Sequence, residues 1–162
     1  MNKFWGHLKT ITHHRHLVMR GCFRMGLIWQ GLTHDLSKYS PTEFLAGVRY
    51  YQGDRSPNTA EREANGYSLA WMHHKGRNRH HFEYWTDLSP KTRTYEPVDM
   101  PVRYLCEMVA DRIAACKTYQ GAAYTDASPL QYLDRANESR LVHPQTMKRC
   151  LLYTSPSPRD VE

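Results

Sequence analysis

Residues 100–116, MPVRYLCEMVADRIAAC, read as one helix and set the fold class for the chain. Pro101 suits a first turn, Asp99 can cap it, and Tyr104, Leu105, Met108, Ile113, Ala114 and Cys116 recur at helical spacing as a buried stripe. Asp111 falls inside this apolar run. An ionised carboxylate among such neighbours requires a partner, either a metal or an arginine. Glu107 lies one turn earlier on the same face, where it can bind the same site or hydrogen-bond a ligand histidine. The bland alternative is a surface ion pair of Glu107 or Asp111 with Arg103 or Arg112.

Outward from that helix the apolar period stays helical. Leu8, Ile11, Leu17, Val18, Cys22, Met25 and Leu27 follow it, and no alternating β-branched run occurs, so strands are not expected. Gly31 separates the first helical region from His34-Asp35. Ser40-Pro41-Thr42-Glu43 places Ser at N-cap, Pro at N1 and Glu at N3, a capping box that opens a helix through Tyr51. Further helices are expected from about Thr59 through Trp71 to His74, from Pro129 to about Asn137, and from Pro144 onward. Residues 87–99, with two prolines, read as a surface loop. The expected architecture is all-α, one compact helical domain over residues 1–149.

The last residues differ in kind. Residues 150–160, CLLYTSPSPRD, read as the translation of a sequencing-library transposase adaptor, so residues 150–162 are expected to be a non-native tail on a metagenomic reading frame. A natural Ser/Pro-rich tail is the alternative, and neither bears on chemistry.

Composition narrows the function classes. A chain of 162 residues with 40% apolar content suits one domain with a real core. Cys22, Cys106, Cys116 and Cys150 form no CxxC pair and no secretory signal precedes them, which points to a reducing cytoplasm. No stretch approaches the roughly 20 apolar residues of a membrane span, and no membrane partner is expected. The net charge of +6 favours a small anionic substrate or nucleic acid.

The histidines carry the chemistry. Ten occur, nearly all in clusters: His7, His13, His14 and His16; His34 beside Asp35; and His73, His74, His80 and His81. Imidazole plus carboxylate is a ligand set for manganese, iron, cobalt, nickel or zinc, and the spacing allows one or two ions. His34 and Asp35 diverge by about 100° on a helix end, so other elements must close the shell. Lys38 lies on the same face, where its ammonium can contact an anion. In HHKGRNRHHFEYW two His pairs bracket a turn, so His73 or His74 can converge with His80 or His81, while Arg77, Asn78 and Arg79 offer donors suited to phosphate. Among His13, His14 and His16 the choice stays open.

HDLSK resembles the HD-x-x-K signature of HD-domain phosphohydrolases, with Ser37 where that signature usually has Gly. The stretches GLTHDLSKYSPTEF, RSPNTAEREANGYSLAWMHHKGRNRHHFEYW and MPVRYLCEMVADRIAACKTYQGAAYTDASPL resemble a family of small uncharacterised bacterial proteins, itself distantly similar to the HD superfamily. The resemblance covers about Trp5 to about Met147. It implies an all-helical fold and favours His14 as the first ligand. The expectation is a metal-dependent phosphohydrolase in which His14, His34, Asp35, His73, His74, His80, His81 and Asp111 supply the metal ligands. Lys38, Arg77 and Glu107 take catalytic roles, and Lys38, Arg77, Asn78 and Arg79 bind substrate. The alternatives are a di-iron oxygenase on the same ligands, or a non-catalytic module that binds nucleic acid or protein through Arg77, Arg79 and His80.

Overall fold

A computed structural model describes residues 2–135 and 141–154. Among them are eight α-helices: α1 (Lys3–Arg24), α2 (Ile28–Thr33), α3 (Pro41–Tyr50), α4 (Pro57–Asn65), α5 (Leu69–Lys75), α6 (Val102–Gln120), α7 (Ser128–Arg135) and α8 (Pro144–Thr154). The all-helical expectation holds, with one small addition. Strands β1 (Thr86–Leu88) and β2 (Tyr95–Pro97) pair antiparallel, Asp87 opposite Glu96, inside the segment expected to be loop. Both strands are short and mostly exposed, so no alternating apolar pattern marked them.

The long helices α1 and α6 pack along each other and form the spine. Small residues allow this. A Cβ on Gly21 would meet that of Ala110 at 3.1 Å, and Val18, Cys22, Ala110 and Ala114 form a buried seam beside that approach. A second core joins α6 to α7 and α8 through Leu105, Met108, Val109, Leu133, Val142 and Cys150, with Phe82 and Met100. Cys150 is therefore buried, unlike the tail it was expected to begin. Leu151 and Leu152 are exposed, as a tail requires, and the remaining tail side chains lie outside the described residues.

Local chemistry sets the helix ends. After α1, Leu27 N–H reaches Cys22 O and Gly26 N–H reaches Phe23 O, with Gly26 at φ 74°, the left-handed stop that glycine permits. The chain thus turns at Gly26 rather than at Gly31, which sits within α2. The helix expected from Thr59 to His74 is two helices, because Gly66 adopts φ 83° after α4 and Ser68 then caps α5 by accepting from Trp71 N–H. Ser40 caps α3 as expected. Asp99 does not cap α6. Its carboxylate accepts instead from Thr146 Oγ1 and Arg149, tying α8 to the start of α6.

Candidate metal centre

His34 ends α2, and the next residue, Asp35, takes a left-handed conformation at φ 52°. That turn, which Asp tolerates better than most side chains, points both groups inward ahead of the 3₁₀ segment Leu36–Tyr39. His34 and Asp35 are each 1% exposed. α1 contributes His14, which shares an inward stripe with Ile11 and Val18. α6 contributes Asp111 and Glu107, α5 contributes His74, and the turn after α5 delivers His80 and His81.

These groups meet around Asp35. One set is His14, His34, Asp35 and Asp111; another is Asp35, His74, His80 and His81; in each, one ligand atom per residue lies within 4.8 Å of the others. His34 Nε2 is 3.3 Å from Asp35 Oδ2, and His74 Nε2 and His80 Nε2 are 3.3 and 3.4 Å from Oδ1. His14 Nε2 lies 2.9 Å from Asp111 Oδ1. Each oxygen of Asp35 therefore faces a different set of imidazoles.

The histidines are held from behind. Glu107 Oε1 lies 3.0 Å from His34 Nδ1 and 3.2 Å from His80 Nδ1, so one carboxylate orients a ring from each side of Asp35. Glu43 does the same for the other pair, with Oε1 2.6 Å from His73 Nδ1 and Oε2 2.7 Å from His74 Nδ1. A His34, His74 or His80 ring that donates Nδ1–H to its carboxylate has Nε2 left to serve as a ligand toward Asp35. Glu107 and Glu43 thus act as positioning groups.

The donor set itself fits a metal, since buried imidazole nitrogens and carboxylate oxygens face one another at ligand spacing. Among the described residues, His14 Nε2, His34 Nε2, His80 Nε2, His81 Nε2 and both oxygens of Asp35 are buried without an aligned hydrogen bond. Asp35 Oδ2 and His14 Nε2 have charged neighbours in Lys38 and Asp111, but a buried polar atom left without any partner costs on the order of 1–3 kcal/mol, which a divalent cation would offset. Burial raises the Asp35 carboxyl, but His34 and Lys38 outweigh it and hold it well below the usual carboxylate range. Burial likewise opposes ionisation of Asp111, and His14 and His34 outweigh it. His81 lies well below its ordinary value because burial and the neighbouring His80 and His74 disfavour a second charge. His34 differs: burial lowers it, but Asp35, Asp111 and Glu107 outweigh burial and raise it well above its ordinary value, so a metal on its Nε2 would have to displace a proton.

Lys38 Nζ stands 2.6 Å from Asp35 Oδ2 and lines a cavity of about 400 Å³ that reaches His14, His74, His81 and Asp111. Burial lowers its ammonium and the Asp35 charge more than compensates, so Lys38 stays protonated. Trp71, 4.7 Å between ring centres from His81, and Tyr119 form aromatic wall.

The structure gathers most of the expected ligands, with corrections. His73 is not among the converging groups: Glu43 holds Nδ1 of both rings, but of the pair only His74 turns Nε2 to Asp35. Arg77 is exposed and donates to His73 O, while Arg79 is exposed over Tyr84 and Tyr104; neither lines the cavity. Asn78 donates to Ser37 Oγ and His74 O, so it braces the turn rather than facing substrate. Glu43 was missed, since the capping box alone accounts for it in the sequence. The Ile11/His14/Val18 spacing was the available signal for choosing His14.

The family of unknown function DUF5662 matches residues 3–152. The chain belongs to DUF5662. No curated protein and no solved structure matches it, so no relative's chemistry bears on this member of DUF5662.

Proposed function

We propose that this protein is a metal-dependent hydrolase of the HD type, with two divalent ions sharing Asp35, that acts on a phosphomonoester or phosphodiester of nucleotide-like size. The observation that carries this reading is the pair of four-residue groups with Asp35 common to both. His14, His34 and Asp111 would complete one ion's shell, and His74, His80 and His81 the other's. Divalent ions held by these residues would lower the pKa of water and polarise a phosphoryl oxygen.

The chain's own residues do the rest. Lys38 presents an ammonium at the cavity floor, where it neutralises a non-bridging oxygen of an incoming phosphate. Glu107 and Glu43 hold the Nδ1 protons and keep the rings from turning as charge shifts across Asp35. Trp71 and Tyr119 offer apolar faces to the remainder of the substrate. The four cysteines, none in a disulfide, suit a reducing compartment. Among the described residues no helix is long and apolar enough to cross a membrane. A nucleic-acid module using His80 has little support, since that side chain is buried.

The test is turnover of a panel of nucleoside monophosphates and phosphodiesters with manganese, cobalt or iron. Activity is expected for the wild type and its loss in Asp35→Ala with helical content retained. No hydrolysis by metal-loaded wild type, or full activity in Asp35→Ala, overturns the assignment. Aerobic turnover that needs ferrous iron would assign the same ligands to an oxygenase instead.

A further inference from the structure

The outer side of the N-terminal region carries charge and apolar surface that the buried centre does not use. No Asp or Glu precedes Asp35, whereas Lys3, Lys9, Arg15, Arg20 and Arg24 do. Arg15 is engaged by the carbonyls of Leu32 and His34. Lys9, His13, His16, Arg20 and Arg24 recur every three or four residues and are all exposed, which makes one basic stripe on the side of α1 turned away from α6. Where that stripe ends the surface becomes apolar. Met25, Ile28, Trp29 and Leu32 are 42, 51, 75 and 44% exposed. Ile28, Trp29 and Leu32 share the outward face of α2, because Gly31 on its opposite side packs against Phe23 and Cys22.

We propose that this surface docks the protein on an anionic lipid bilayer, with the α1–α2 tip entering the headgroup region and Arg20 and Arg24 meeting lipid phosphates. Large exposed aliphatic side chains next to an acid-free basic helix match a layer that is negative outside and apolar beneath, and tryptophan favours that boundary. Nucleic acid would satisfy the arginines but offers nothing to Met25, Ile28 or Leu32, which cannot stack as aromatic rings do. A second copy would bring two basic stripes together. The docking needs no membrane span and is independent of the hydrolase reading.

Co-sedimentation of the full chain with vesicles tests it. Vesicles of phosphatidylcholine with about one-third phosphatidylserine should bind at low salt, and phosphatidylcholine alone should bind far less. Each Lys or Arg at such a surface is worth about fivefold, so Arg20→Glu/Arg24→Glu should weaken binding by at least about thirtyfold. Trp29→Ser/Leu32→Ser should lose it by a similar factor at unchanged melting temperature, since both side chains are exposed. Absence of wild-type binding to the anionic vesicles, or undiminished binding by both double variants, overturns the proposal. So does a concentration-dependent dimer or salt-sensitive RNA binding without vesicle binding.

Discussion

The two sides of the candidate centre are built from different material. His14, Glu107 and Asp111 project from α1 and α6, long helices locked by the Gly21–Ala110 approach. His34, Asp35, His74, His80 and His81 project from short elements and turns, among them a left-handed Asp35. A long helix fixes the direction of a side chain through its own backbone bonds, whereas a turn needs outside help. The help is visible: Glu43, Ser37 and Asn78 grip His74, and Glu107 reaches across from the rigid side to His34 and His80. The rigid half thus orients part of the soft half.

If this contrast is right, the largest effect short of removing a ligand comes from the cross-bracing carboxylate. Glu107→Gln should weaken metal affinity by about 10–100-fold with the helical fold intact, because an amide cannot accept two Nδ1 protons as a carboxylate does. Glu43→Gln should act in the same direction, confined to the His74 side. Isothermal titration of metal into both variants checks this, and equal affinity to wild type would break the comparison.

A substitution far from the ions sharpens it. A Cβ on Gly47 would come within 2.1 Å of His7 Nε2, so Gly47→Ala must displace the buried ring that joins α3 to α1. It should destabilise by about 2–3 kcal/mol in urea denaturation. Because α3 carries Glu43, the same variant should also reduce metal affinity at the soft side. Unchanged stability would mean that α3 is not held against α1 as described.

His7 supplies a pH dependence as well. Burial, then the charge of Lys38, lowers its pKa from 6.5 to about 4. The folded state therefore binds fewer protons between those values. The stability from the neutral ring is complete above the unfolded pKa and is lost as pH falls toward 4. From about pH 7.5 to about pH 5 the wild type should lose about 2 kcal/mol that His7→Leu does not lose. Parallel pH profiles for the two proteins would show that the ring titrates freely.

The smallest effect expected is at the C-terminus. Ending the chain after Cys150 removes the exposed Leu151 and Leu152 and should cost less than about 1 kcal/mol, whereas ending it after Arg149 removes a buried core residue and should cost more. Thermal melts of both truncations distinguish these outcomes.

The rigid half was the legible one. The apolar period of α6 and the carboxylates within it announced both the helix and the need for a partner at Asp111, whereas His14 was favoured over His13 and His16 only by the family resemblance. The soft half was legible as motif, in HDLSK and in two His pairs bracketing a turn, but not in detail. The paired histidines said that ligands were present, but backbone turns decide which of each pair points inward, and no periodicity reports a turn. His73 and His74 differ by one residue and face opposite tasks. Glu43 was invisible because its place in a capping box already explained it. Arg77, Asn78 and Arg79 looked suited to phosphate by type, yet the turn that carries them aims two outward and uses one as a brace.

The central claim is that Asp35 joins two ion sites, and metal stoichiometry tests it most directly. Untagged wild-type protein, purified with divalent metal and dialysed, should carry about two ions per chain by elemental analysis, and Asp35→Ala should fall below one because both shells lose a shared ligand. Wild type with no bound metal after loading, or Asp35→Ala with undiminished content, would contradict it.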